Sequence, residues 1–183
     1  MAVEMKYGDY IKGGWDLVKP NLVTAIVAMI CMCIPIFGIQ VSVNFLRGLK
    51  EAKASGKAIE IGSLFAMDNI VNNIIAMILC GLFAMCCGLP FCLVYFGPAL
   101  VADHPGVGFM DIVKGALAFG KQNIVPSLIL MIVLGIVGGI GQIALGVGIL
   151  ITYPIAMGAM WCAYEDHKAA IHAAAAESGV TLA

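Results

Sequence analysis

All 21 Lys, Arg, Asp and Glu side chains of this 183-residue chain stay out of three stretches, 22–46, 70–102 and 122–164. A charge at the centre of a bilayer costs about 2.5–3.5 kcal/mol on insertion scales. Exclusion on this scale selects lipid as the solvent of those stretches. Composition agrees: 62% hydrophobic residues, 11% charged residues and a mean hydropathy of +1.01 lie outside the range of soluble domains. A net charge of −1 gives no reason to expect nucleic acid or another strongly charged partner.

Each stretch is broken near its middle, by "IPIFG" at 34–38, "CCGLP" at 86–90 and "GQIALGVG" at 141–148. Pro and Gly punctuate helices, and none of these linkers carries a charge. The pattern predicts an all-α integral membrane protein with about six membrane segments in three helical hairpins. Every Lys and Arg then lies on one side, which the positive-inside rule makes the cytoplasm. The expected location is a bacterial cytoplasmic (inner) membrane with both termini cytoplasmic. A competing five-segment topology, with 22–46 as one span, would place Arg47, Lys50, Lys53 and Lys57 opposite the basic N-terminal segment. Gln40, Ser42 and Asn44 also make the second half of that stretch a poor lipid-facing helix. "MAVEMKYGDY" has no apolar core before the first membrane run, so the mature chain is expected to begin at Met1.

Length separates the hairpins. A full span takes roughly 20 residues at about 1.5 Å each. The third hairpin supplies two spans. The second supplies two shorter arms, and the first is shorter still unless its return helix continues through "NFLRGLKEAKA". Arms of that kind thin the bilayer or insert partway.

The approach to the hairpins repeats. Asp9, Lys12, Gly13, Lys19 and Asn21 recur at a constant offset of 102 as Asp111, Lys114, Gly115, Lys121 and Asn123, each copy running into an apolar stretch. An internal pseudo-repeat follows, with units of about 7–57, 58–106 and 107–168 in one membrane domain spanning 1–183. Tyr7, Tyr10, Ile11 and Trp15 in the first copy, and Phe109, Ile112, Val113 and Leu117 in the second, form apolar helix faces. Lys12, Lys19, Lys114 and Lys121 sit opposite, toward headgroups. Each copy reads as an amphipathic helix lying along the interface, with Trp161 marking the headgroup level at the other end of the chain. A fainter third copy, "IGSLFAMDNIVNN", precedes the middle hairpin. Residues 169–183 read as a cytoplasmic extension of the last helix that frays after Ser178.

Three pieces carry a family resemblance: "RGLKEAKASGKAIEIGSLFAM", "LPFCLVYFGPALVADHPGVGFMDIVKGALAFGKQN" and "LGVGILITYPIAMGAMWCAYED". In this order they resemble the uncharacterised bacterial multi-pass membrane families related to the membrane domain of glycerophosphodiester phosphodiesterases. The resemblance covers roughly residues 9–168 and implies a polytopic helical protein with no assigned chemistry. The phosphodiesterase's catalytic domain has no counterpart here, so no catalytic residue carries over. The first hairpin is shortened relative to the usual pattern.

Chemical signals are sparse. Met29, Cys31, Met32 and Cys33, and Cys80, Met85, Cys86, Cys87 and Cys92, are soft ligands of the kind that suits Cu(I). They are also ordinary apolar fillers, and neighbouring Cys86 and Cys87 point in different directions on a helix. His167 and His172 miss the four-residue spacing of a helical zinc pair. No metal or other cofactor is expected. The small-xxx-small pairs Ala84/Gly88 and Gly135/Gly139 predict close helix packing, within the chain or between subunits. No nucleophile, base and acid constellation supports an enzyme. The expected function is a non-enzymatic membrane scaffold or shaping protein, homo-oligomeric, with membrane lipids as its partners. A channel or transporter for a small or apolar solute, or an accessory subunit of a membrane complex, is the alternative.

Overall fold

The structure is a computed structural model that describes residues 3–34, 36–85, 89–143 and 147–182, with side chains throughout these ranges except at 83–85 and 89–91. The described residues contain no strand. They form α1 (Tyr7–Val18), α2 (Leu22–Met32), α3 (Phe37–Ser55), α4 (Ile70–Met85), α5 (Gly97–Asp103), α6 (Phe109–Gln122), α7 (Ile124–Gly139) and α8 (Ile149–Glu177). Short 3-10 segments lie at Lys19–Asn21, Ile61–Phe65, Leu89–Val94 and Ile140–Gln142.

By length and composition, Tyr7–Met32 and Ile124–Gln142 can each cross a membrane, and Ile70–Leu82 and Cys92–Asp103 are shorter apolar helices. The first of these is not uniform. It bends at Asn21 (φ −109°, ψ 20°), so its apolar part is the 11 residues of α2. The first chain reversal is tight: a Cβ on Gly38 would collide with the Met32 backbone. The third closes where Gly141 meets the backbone of Gly148 and Ile149, and Thr152 Oγ1 donates to the Gly138 carbonyl (2.8 Å) to tie α8 to α7. The return helix of the first hairpin runs unbroken to Ser55 and stops at Gly56, whose φ of 69° is left-handed.

Two asparagines separated by that offset of 102 do the same work. Asn21 Nδ2 donates to the Leu17 carbonyl (2.8 Å), and its Oδ1 accepts from the Ile59 N–H (2.7 Å). Asn123 Nδ2 donates to the Phe119 carbonyl (3.2 Å), and its Oδ1 accepts from the Val3 N–H (3.0 Å). Each ends an amphipathic helix by taking the carbonyl four residues back, and each leads into an apolar helix. Asn21→Leu is expected to cost about 1–3 kcal/mol by stranding a buried N–H, and Asn123→Leu less, because Val3 is only part-buried. Unfolding of the two variants in detergent checks the order.

The middle copy departs from expectation. Residues 61–65 make a 3-10 segment that ends in extended backbone at Ala66 (ψ 134°), not an amphipathic helix. Side chains of α3 claim its carbonyls: Asn44 Nδ2 donates to those of Leu64 (2.9 Å) and Ala66 (2.7 Å), and Gln40 Nε2 to that of Ala66 (3.0 Å). Asn73 Nδ2 then donates to Gln40 Oε1 (3.0 Å), which draws α4 into the same network. The polar face noted at Gln40 and Asn44 is therefore turned inward, with both residues buried.

At the polar end, Asp103 joins three helices. Its carboxylate accepts from Lys50 of α3 (2.6 Å), and from Lys168 (2.5 Å) and Tyr164 (2.7 Å) of α8. Burial alone would raise the Asp103 carboxyl, but hydrogen bonds from His104, Lys168, Lys50 and Tyr164 outweigh it and hold it well below the usual carboxylate range.

The C-terminal segment does not fray after Ser178. Gly179 takes a φ of 77°, the Val180 N–H reaches back to the Ala175 carbonyl, and Val180 and Leu182 are buried. This left-handed turn with a six-residue backbone bond is a Schellman closure. It sets Leu182 against Gly115 of α6.

Candidate functional site

The amphipathic helices α1 and α6 both pack on α8. Gly14 meets α8 at backbone distance: a Cβ there would lie 2.5 Å from Ala159 N and Ile155 O. Gly13 faces Cys162, and Gly115 faces Ala175 and Leu182. The apolar faces read as lipid-facing are thus largely covered by protein. Tyr10, Ile112 and Val113 are buried, while Tyr7, Ile11, Phe109 and Leu117 are partly buried against the core. Trp15 alone among these stays well exposed, at 39%. Trp161 is a correction: it is 1% exposed and packs on Tyr164, because it falls on the face of α8 that the other helices surround. Lys12, Lys19, Lys114 and Lys121 are exposed.

The packing glycines also differ from expectation. A Cβ on Gly135 or Gly139 would meet none of the described residues within 4 Å, whereas one on Gly138 would touch Ala156 and Tyr153 of α8 at ordinary contact distance and one on Gly141 would collide with the turn that leads into α8. Spacing places the pair on one face of α7, but the neighbouring face carries the contact. Gly88 and the side chain of Ala84 lie outside the described residues, as do Cys86, Cys87 and the side chain of Met85 from the sulfur cluster. Of the remaining sulfur, Cys80 packs against Gly97 and Cys33 donates weakly to the Met29 carbonyl.

What Gly135 and Gly139 do line is a cavity of about 420 Å³ between α3, α4, α5, α7 and α8. Met77, Met131, Met157 and Met160 supply flexible thioether walls, and Leu46 and Leu134 supply rigid ones. Ser42, Gln142, Tyr95 and Tyr153 add a few polar groups. The missing side chains of two adjacent helical turns make the room, and unbranched methionines let the wall adapt to the shape of an occupant. The same α7 turns the opposite way with Ile129, Ile132, Ile136 and Ile140 exposed at helical spacing, and α4 does so with Val71, Ile75, Ile78 and Leu82. The cavity therefore lies level with the two outer apolar stripes.

A larger groove of about 830 Å³ lies between α1, α3 and α8, but its rim mixes Lys6, Lys53 and Lys57 with Asp9, Asp16, Glu165 and Asp166. Its inner charges are already partnered, Lys53 with Glu165 and Asp166 with the Tyr10 hydroxyl. It offers no net charge pattern for a ligand. The methionine-lined cavity is the better candidate, and sequence reading missed it because residues from five helices, α3, α4, α5, α7 and α8, build it. Comparison with protein-family models, curated proteins and solved structures finds no match for this chain.

Proposed function

We propose that this is a non-enzymatic integral membrane protein that holds an apolar molecule drawn from the bilayer, an acyl chain or a small apolar solute, in the cavity between α3, α4, α5, α7 and α8. The observation that carries this reading is the cavity itself, walled by methionines and glycines at the depth of the exposed isoleucine stripes. Exposed Ile and Val at helical spacing on α4 and α7 suit hydrocarbon and not water. The confinement of charge to the segments outside the apolar stretches supports a bacterial inner-membrane location with cytoplasmic termini. Matching local geometry at Asn21 and Asn123 supports the repeat of amphipathic helix and apolar arm. The resemblance to membrane-domain families of the glycerophosphodiester phosphodiesterase type is consistent with this reading.

Gly135 lines the cavity and no described residue lies within 4 Å of a Cβ there, so Gly135→Phe is expected to place its ring in the cavity. In native mass spectrometry of protein released from lipid nanodiscs, the wild type is expected to carry one tightly held lipid or hydrocarbon adduct. Gly135→Phe is expected to lose it at least about tenfold. Equal adducts on both proteins would reject the cavity.

A second reading, membrane shaping, is favoured by the length of α2. Its 11 residues reach about 16 Å, half of the roughly 30 Å hydrocarbon core. Since α8 covers the apolar faces of α1 and α6, the short hairpin alone supports this reading. Single cysteines at Phe37 and Ile143 in a cysteine-free background test it in oriented vesicles. Protection of Phe37→Cys from both sides, with Ile143→Cys reachable from outside, is the pattern of a partly inserted hairpin; labelling of both from outside rejects it.

A further inference from the structure

We infer that Asp103, His104 and His172 form a binding site for one divalent transition-metal ion of the zinc class. His167 and His172, whose spacing misses that of a helical zinc pair, take different partners, and His167 Nε2 lies 3.0 Å from the Tyr10 hydroxyl. His172 on α8 meets His104, which lies 68 residues earlier, with the two Nε2 atoms 3.2 Å apart. His104 Nε2 is also 3.2 Å from Asp103 Oδ2, and the three ligand atoms lie within 4.8 Å of one another. A tetrahedral zinc ion with Zn–N bonds of about 2.0–2.1 Å sets its ligand atoms about 3.3 Å apart, so the two separations made by His104, to His172 and to Asp103, are those of neighbouring ligands.

Local backbone makes the convergence possible. Asp103 ends α5, and His104 leaves the helix at φ −122°, ψ 69°, so the two adjacent side chains are not splayed by a helical turn. Two imidazole nitrogens facing each other place lone pair against lone pair unless a cation or a shared proton lies between them. Supporting contacts orient the carboxylate as in other metal sites: Tyr164 donates to Oδ2 and Lys50 to Oδ1. Lys168 is the competitor, at 2.5 Å from Oδ2. Its side chain is 42% exposed, so the ammonium is free to move into water when an ion takes its place, and water completes the coordination. Two nearby ammonium groups weaken the site without blocking it.

The test uses the full chain in detergent, tag removed and chelator-stripped, titrated with Co²⁺ followed by visible absorption and with Zn²⁺ followed by calorimetry. One ion per chain is expected, with a tetrahedral Co²⁺ spectrum that lacks a thiolate charge-transfer band. His104→Ala and His172→Ala are each expected to weaken binding at least about tenfold. Lys168→Gln is expected to tighten it about tenfold by removing the competing charge. That gain keeps the test decisive if a histidine variant folds poorly. Absence of binding by the wild type, a thiolate band, or binding unchanged in all three variants overturns the site.

Discussion

Gly14→Ala is expected to cost about 3 kcal/mol or more and to release α1 from α8, the upper end of what overpacking a close helix contact costs. The atoms in the way are backbone: Ala159 N and Ile155 O at 2.5 Å from the added Cβ, and Ala159 Cα at 3.0 Å. A flexible side chain could rotate aside, but a helix backbone moves only as a whole. Gly158→Ala, across the same crossing, meets Gly14 Cα and O at 3.0 Å and is expected to cost less. Gly135→Ala meets none of the described residues and gains about 0.5–1 kcal/mol of helix propensity, so it is expected to be neutral or stabilising. Unfolding midpoints of the three variants in one detergent check the ranking; equal loss at Gly14 and Gly135 would contradict the packing described.

Asn44→Leu is the second large effect, about 2–4 kcal/mol, from one or two buried polar groups losing partners at about 1–3 kcal/mol each. Asn44 gives two hydrogen bonds to the carbonyls of Leu64 and Ala66 and accepts from Gln40 Nε2 (3.2 Å) and Arg47 Nη1 (3.4 Å). Its loss detaches the 61–66 segment from α3 while α1 and α8 stay packed. Hydrogen exchange separates the two variants: Asn44→Leu is expected to raise exchange at residues 61–73, and Gly14→Ala at residues 7–18. Uniform loss of protection in both would show that the molecule opens as one unit and would reject the local account.

The helical class was legible because charges avoid three long stretches, and the helix ends at Asn21 and Asn123 were marked by residues that recur with their flanking lysines and glycines. The middle element was misread. Periodicity in "IGSLFAMDNIVNN" suggested a helix, but amides that belong to α3 compete for its carbonyls, and a distant competitor leaves no local trace. Gly135 and Gly139 show the limit of spacing rules: a small-xxx-small pair defines a face, and only the fold decides whether another helix covers it. Amphipathicity has the same limit. The apolar sides of α1 and α6 were visible, but their partner, α8, was not, and lipid was assigned in its place. His172 was singled out in the sequence, but not with its partner His104, because their pairing depends on how α5 lies against α8.

The most direct test of the proposed cavity is to let a fatty acid with a mid-chain diazirine equilibrate into nanodiscs holding the protein, irradiate, and map the labelled residues by mass spectrometry. Ile132, Ile136 and Ile140 face outward and are expected to label in any case. Met157 and Met160 are buried, at 8% and 7% exposure, and line the cavity. The account predicts label on both methionines, lost in Gly135→Phe while the isoleucine labels persist. Label confined to the outer stripe in the wild type would mean that the cavity admits no chain from the bilayer, and the proposed function would be wrong.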